Sequence, residues 1–483
     1  MTNKKSVKRN YIYNMLYQLL LILLPIITTP YIARKLGAAG NGIYGYTISI
    51  VTYFILFGSL GINLYGQREI AYNQKNIENR SKTFVELIIL KTITMSLAAV
   101  IFYFFFCQKG EYSVYYKILL IEMLANVIDI SWFYQGLEDF KKIVLRNFVI
   151  KLISLICIFV FIKGPTDINK YLFIHVCSTL FGGLTLWFGL NKYFSVKLKK
   201  LNITRHLPMI MALFIPQVAI QIYTVLDKTM IGAILHDMNE VGYYEQSQRI
   251  IKILLTIITA VGTVMLPRLA NCFAEKNYEQ IKKYMYKTFS FVFMLSFPLM
   301  LGIIVVANNF APLFFGKGYD KVPAIMQMLS PIVLFISISN ITGTQYLIST
   351  KRQKEFTISV VVGAVVNFLL NLVFIYFYKS VGAAIATVIA ELSVTLVQLY
   401  FVRKDFKLLE IVKLSKNYII ASILMFGICY AIDFFIAERL LGLVLQVACG
   451  GLSYLIILLV LKDKFLFDTY DETIKPILKR KQN

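Results

Sequence analysis

The sequence is poor in the residues from which soluble enzymes assemble their sites. Its 483 residues include only six cysteines and three histidines. Cys107, Cys157, Cys177, Cys272, Cys429 and Cys449 are scattered along the chain, as are His175, His206 and His236. That spacing excludes a disulfide framework and any familiar metal-ligand pattern. No metal, no cofactor and no catalytic residue is therefore expected. Acidic residues are scarce as well, 26 against 50 Lys and Arg, for a net charge of +24. Long polar stretches are also missing. Outer connections run to about fifteen residues at most, well below the ~50 residues that a separate domain needs.

What remains is hydrophobic. Apolar residues make up 58% of the chain and the mean hydropathy is +0.67, too apolar to cover a soluble surface. A bilayer core of ~30 Å asks for ~20 apolar residues per helix, and runs of that size recur about fourteen times. They lie at 11–33, 43–64, 84–107, 114–134, 147–162, 171–190, 209–235, 241–266, 289–308, 323–349, 356–378, 381–402, 418–437 and 440–461. The expected fold class is thus an all-α integral membrane protein of about fourteen transmembrane helices. The shortest span, 147–162, contains Lys151. The first is too long for a signal peptide, and Tyr31-Ile32-Ala33-Arg34-Lys35 lacks a small-residue cleavage pattern, so it is expected to be retained.

Charge then sets orientation. With the amino terminus inside, 35 of the 50 basic residues fall on inner segments, including Lys197, Lys199 and Lys200 and the tail Lys479, Arg480 and Lys481. This asymmetry places both termini in the cytoplasm. It explains the basic excess by topology and contact with anionic lipid, without nucleic acid. The long connection 191–208 divides the chain into 1–200 (six helices), 201–405 (six more) and 406–483 (two additional helices and a basic tail).

The most informative polar pattern lies in the eighth span. Glu245, Arg249, Lys252, Thr256, Thr259 and Thr263 are spaced 4, 3, 4, 3, 4, which aligns all six along one side of a helix. Charges at membrane depth cost ~2.5–3.5 kcal/mol or more unless they face protein or water. The stripe therefore reads as the wall of a polar cavity. The seventh span repeats the pattern with Gln217, Gln221, Thr224 and Lys228. With Asp227, the two spans offer two acids and three bases at similar depth, a net positive charge suited to a phosphate or pyrophosphate. Alternatively, these charges pair and lock two helices together.

Asn14 and Gln18 on the first span, and Tyr46, Ser49 and Tyr53 on the second, suit sugar rings and hydroxyls, or interhelical hydrogen bonds. Glu122, Asn126 and Asp129 share one side of the fourth span, where the two acids would form a possible proton or cation coupling site. Trp132 and Tyr134 near its inner end fit an interfacial aromatic belt. Gly42-Ile43-Tyr44 and Gly242-Tyr243-Tyr244 open spans six helices apart, each after a short outer turn holding Asn41 or Asn239, a trace of an internal repeat.

Several segments together carry a family resemblance. They are Leu36-Gly37, Gly42-Ile43-Tyr44-Gly45-Tyr46, Leu60-Gly61, Tyr65-Gly66-Gln67-Arg68-Glu69-Ile70-Ala71, Asp129-Ile130-Ser131-Trp132-Phe133-Tyr134-Gln135-Gly136-Leu137-Glu138 and Leu226-Asp227-Lys228. In these the chain resembles bacterial polysaccharide flippases, the O-antigen and capsule repeat-unit transporters of the multidrug/oligosaccharidyl-lipid/polysaccharide exporter superfamily. The resemblance implies two pseudo-symmetric six-helix lobes plus two carboxyl-terminal helices. It also implies alternating-access transfer of undecaprenyl-pyrophosphate-linked oligosaccharide from the inner to the outer leaflet. Arg249 and Lys252 sit where such families line their cavities with bases, and Arg68 matches a recurring Arg after the second span. Unlike the lipid-linked peptidoglycan precursor flippases, the first two spans here carry no charge. Other readings are a drug or metabolite exporter of the same superfamily, or a polytopic glycosyltransferase or polymerase. The latter needs acids or bases at the water interface, and the outer loops offer few, Glu111 and Asp320 among them.

Overall fold

The computed structural model describes residues 4–194, 201–469 and 471, the side chains of residues 1–23, 215, 216, 219, 222, 223, 263 and 264 excepted. Among the described residues the regular structure is helical throughout, with no strand. Hydrocarbon offers no partner for a peptide N–H or C=O, so each segment must satisfy its own backbone. Nine helices among the described residues are long and apolar enough to cross a membrane. The chain divides into two compact units, Met1–Gly232 with Asp237–Gly242, and Ala233–His236 with Tyr243–Asn483.

The first unit contains α1 (Lys4–Ser59), α2 (Ile62–Tyr72), α3 (Ile77–Phe102, continued by a π-turn over Tyr103–Cys107), α4 (Ser113–Ile128), α5 (Ser131–Gly136), α6 (Phe140–Phe161), α7 (Ile168–Thr185) and most of α8 (Leu207–Leu235). Here α1 packs on α3, α4 and α6, α4 packs on α7, and α2 packs on α5. The second unit holds most of α9 (Met238–Ala274), then α10 (Tyr278–Phe315), α11 (Val322–Leu329), α12 (Ile332–Ser339, continued by a π-segment over Asn340–Leu347), α13 (Gln353–Val402), α14 (Leu408–Phe435), α15 (Arg439–Val460) and α16 (Lys464–Thr469). Within it α10 packs on both α14 and α15.

Two pairs of expected spans share a helix. In α1 the turn between 11–33 and 43–64 shrinks to Gly37, whose φ of 69° is the left-handed conformation that glycine adopts freely. Asn41, expected in a loop, lies inside the helix instead and donates its side-chain amide to the freed Gly37 carbonyl at 2.8 Å. In α13 the break between 356–378 and 381–402 is Lys379, at φ 54°. A third break, at Leu60 and Gly61, separates α1 from α2 inside the expected span 43–64.

The aromatic segment after α4 departs from expectation. Trp132 and Tyr134 do not form an interfacial belt; they are 2% and 0% exposed. Trp132 stacks on Phe84 at 5.6 Å, and the Tyr134 hydroxyl donates to the Leu186 carbonyl at 2.7 Å. The cause is the helix break at Asp129–Ile130, which folds the short α5 over α2 and turns its rings into the core. A Cβ on Gly66 would lie 2.5 Å from the Trp132 ring, and one on Gly136 would lie 2.7 Å from the Gln67 carbonyl. The two most recognisable motifs of the sequence are thus one packed unit.

Gly42 and Gly242 meet backbone to backbone. A Cβ on Gly42 would stand 1.7 Å from the Met238 carbonyl oxygen, and one on Gly242 would stand 2.0 Å from that of Ala38. Backbone cannot yield as a side chain does, so overpacking there is costly. Gly42→Ala and Gly242→Ala are each expected to destabilise the protein by ~2 kcal/mol or more, seen as a lowered melting temperature in detergent. Gly427→Ala, where a Cβ meets open space, serves as the control.

Candidate functional site

The polar stripe of the eighth span lies on α9. Successive turns of that helix bury Tyr244, Gln248, Ile251, Leu255, Ile258, Gly262, Met265 and Leu269. The adjoining flank carries Glu245 and Arg249, both half-buried, then Lys252 and Thr256, both exposed, then half-buried Thr259. Thr263 lies outside the described side chains. Glu245 and Arg249 form an ion pair at 3.1 Å, one turn apart. Thr256 and Thr259 donate to the carbonyls of Lys252 and Leu255, four residues back, at 2.9 Å each, the usual way a membrane helix satisfies hydroxyls. The flank is therefore cationic toward its middle and hydroxyl-bearing beyond it.

On α8, in the first unit, Gln217, Gln221 and Thr224 are half-buried while Asp227 and Lys228 are 3% and 7% exposed. Each of these two charges interacts with other groups. The end of α8 is tied to α1: Thr229 shares hydrogen bonds with Ser49 at 2.8 Å and Tyr53 at 3.2 Å. Tyr46 is half-buried, edge-on to Tyr112 at 5.9 Å. Gln217 lies beside the Leu60–Gly61 break, its amide 3.4 Å from where a Gly61 Cβ would be. Asn14 and Gln18 lie outside the described side chains. Arg68 on α2 pairs with Glu69 at 3.4 Å and stacks over Tyr65 and Tyr72, at 5.4 and 5.9 Å from the ring centres.

Glu122 and Asp129 are not held at one point. Glu122 lies on α4, 4.0 Å from His175 of α7. Asp129 lies past the end of α4, where its carboxylate accepts from the backbone and hydroxyl of Ser131 and stands 3.4 Å from Arg146. Asn126 accepts from Ser59 at 2.9 Å. In the second unit Asp433 accepts from Asn309 at 2.6 Å and Gln446 at 3.1 Å, a closed polar knot between α10, α14 and α15.

One constellation was not foreseen. Glu86, fully buried on α3, accepts from the Asn202 backbone at 2.6 Å, Arg205 at 2.6 and 3.0 Å and His206 at 2.9 Å. His206 in turn meets the Tyr65 hydroxyl at 2.8 Å. An acid inside the apolar run Phe84–Ile88 was the available signal, but its partners lie more than 110 residues away. The knot fixes the connection before α8 to α3. Removing one member of a buried ion pair costs ~3–5 kcal/mol, so Glu86→Ala is expected to lower thermal stability sharply. Scanning calorimetry or fluorescence melting of the purified protein reads this, and exposed Lys75→Ala should leave the melting temperature unchanged.

The long apolar helices, and the backbone broken only where side chains or packing compensate, define a multi-pass membrane protein, and α9 carries a charged flank. The polysaccharide biosynthesis protein family model matches residues 7–273, and the lipid II flippase MurJ family model matches residues 171–448. The chain belongs to the polysaccharide biosynthesis protein family, within the multidrug/oligosaccharidyl-lipid/polysaccharide exporter superfamily. A putative O-antigen transporter of Escherichia coli (strain K12) is 26% identical over 84% of this chain and 98% of its own length. The capsular polysaccharide biosynthesis protein CapF of Staphylococcus aureus is 23% identical over 76% of this chain and 91% of its own. Among solved structures, lipid II flippase MurJ in an inward closed conformation shares the fold, with a TM-score of 0.73, 20% identity, and coverage of 96% of this chain and 99% of that one.

Proposed function

We propose that this protein is a lipid-linked oligosaccharide flippase. It carries undecaprenyl-pyrophosphate-linked repeat units from the inner to the outer leaflet of a bacterial cell membrane by alternating access, with both termini in the cytoplasm. The product feeds capsule or O-antigen-type surface polysaccharide, and other polysaccharide assembly proteins are its functional partners. No enzymatic step is assigned to it. The family supports the substrate class. The single observation that carries the reading is the flank of α9, where Arg249 is half-buried, Lys252 is exposed, and hydroxyls follow at Thr256 and Thr259.

Basic groups offer the diphosphate charge-assisted hydrogen bonds, and Arg matches its oxygens with a planar fork. Thr hydroxyls and the amides of Gln217 and Gln221 suit the sugar portion, with Asn14, Gln18 and Tyr46 assigned the same role. Glu245 sets the charge of the α9 flank and Asp227 and Lys228 that of α8, Arg68 is assigned to phosphate at the interface, and Glu122 and Asp129 to ion coupling. An exporter of amphipathic cations is disfavoured, because a wall with excess positive charge repels that cargo.

Arg249→Ala is expected to leave the protein in the membrane while lipid-linked repeat units accumulate on the inner leaflet and surface polysaccharide falls at least ~10-fold, the worth of one charge-assisted contact. Extraction and leaflet-selective labelling of the lipid-linked sugar measure this. Normal surface polysaccharide in that variant contradicts the assignment.

A further inference from the structure

Three cations lie deep in the helices of the first unit and have no part in the function proposed above: Lys91 on α3, and Arg146 and Lys151 on α6. Two are fully engaged. The Lys91 ammonium, completely buried, donates to the Asn63 side chain at 3.1 Å and the Asp129 carbonyl at 3.4 Å, so it bridges the helix breaks before α2 and after α4. Arg146 donates to the Gly182 carbonyl at 3.1 Å and to Asn147 at 2.6 and 2.9 Å, and it faces Asp129. These two are structural pins.

Lys151 differs from both. It lies near the midpoint of α6 (Phe140–Phe161) and makes no hydrogen bond or ion pair with any described residue. Helical geometry fixes its direction. Ile143, Asn147, Lys151, Ser154 and Ile158 are spaced 4, 4, 3, 4, and Ile143 and Ile158 are the residues that α6 buries. The outward side is marked by Leu145, Phe148, Leu152 and Ile156, all exposed apolar residues. Lys151 is half-buried and belongs to the inward side, where α6 packs against α1 and α7. An ammonium at mid-membrane depth with no protein counter-charge requires water or an anion. A lysine serving only to tie helices together has a partner, as Lys91 does.

We propose that Lys151 binds the phosphate of a lipid, and that the lipid is the pyrophosphate-linked substrate, giving the first unit its own anion contact. The substrate assignment rests on the flippase reading above, whereas the phosphate contact does not. A lysine ammonium is a compact point charge on a flexible stem, able to reach a phosphate without demanding one fixed geometry.

The test compares wild type, Lys151→Met and Lys151→Arg as full-length protein. Thermal stabilisation is titrated with undecaprenyl pyrophosphate and, separately, with phosphatidylglycerol. Replacing an unpaired membrane cation by Met removes a desolvated charge, so the variant is expected to fold. The expected result is stabilisation of wild type by undecaprenyl pyrophosphate, an apparent affinity about tenfold weaker in Lys151→Met, and recovery in Lys151→Arg. In vesicles the substrate concentration for half-maximal flipping should rise by the same factor with the maximal rate retained. Stabilisation by phosphatidylglycerol alone, lost in Lys151→Met, keeps the phosphate site and overturns the substrate as its occupant. Equal binding of both lipids by wild type and Lys151→Met overturns the site. Arg249→Ala and wild type separate the readings: flipping abolished in Arg249→Ala but unchanged in Lys151→Met removes only the Lys151 proposal, and no flipping of the lipid by wild type removes the flippase reading itself.

Discussion

The hydrocarbon core supplies no water, and the rest of the structure depends on that. Each polar group at membrane depth must find a partner in the protein or be kept for a ligand. The described residues show how thoroughly the first option is used. The carbonyl freed at Gly37 receives the Asn41 amide, the breaks before α2 and after α4 are bridged by Lys91, and Glu86 is enclosed by Arg205, His206 and the Asn202 backbone. Asp433 is enclosed in the same manner by Asn309 and Gln446. Polar groups of this sort are framework, however charged they look in the sequence.

The α9 stripe is more open than these knots, with Lys252 and Thr256 exposed. On α9 one flank packs into the second unit, and the other presents Arg249, Lys252, Thr256 and Thr259 at the surface of the helix. Glu245 pairs with Arg249 at 3.1 Å, and Lys252 is exposed one turn further along. A lipid-facing helix gains nothing from such a stripe and loses several kcal/mol by it. Under the proposed function, this flank is where the phosphorylated headgroup and its sugars bind. The chain belongs to the polysaccharide biosynthesis protein family and shares its fold with a lipid II flippase.

Much of the fold was legible in the sequence because membrane helices are specified by run length alone. The expected spans are mostly helical, with breaks at Leu60–Gly61, Asp129–Ile130 and Ser330–Pro331 inside three of them, and nine of the described helices are long and apolar enough to cross a membrane. Boundaries were less legible. Gly37 and Lys379 bend the chain within single residues, so two expected turns became kinks. Trp132 and Tyr134 misled because interfacial and core aromatics have the same composition; only the break at Asp129 and the close approach of Gly66 settle which they are. The Glu86 knot was unreadable, since its members are distant in sequence and individually ordinary. Lys151 read merely as a defect in a short span, and its meaning emerged once the partners of Lys91 and Arg146 were known. Asn14 and Gln18 lie outside the described side chains.

Substituted-cysteine labelling along α9 is the most direct measurement of whether that polar flank meets water. In a background with the six native cysteines replaced, single cysteines at Lys252, Thr256 and Thr259 should react with a membrane-impermeant thiol reagent, and lipid-linked oligosaccharide should slow the reaction. Cysteines at Ile251, Leu255 and Ile258, on the buried side, should stay unreactive. If the polar flank proves as inert as the buried side in every state of the transport cycle, α9 is not the wall of a transport path.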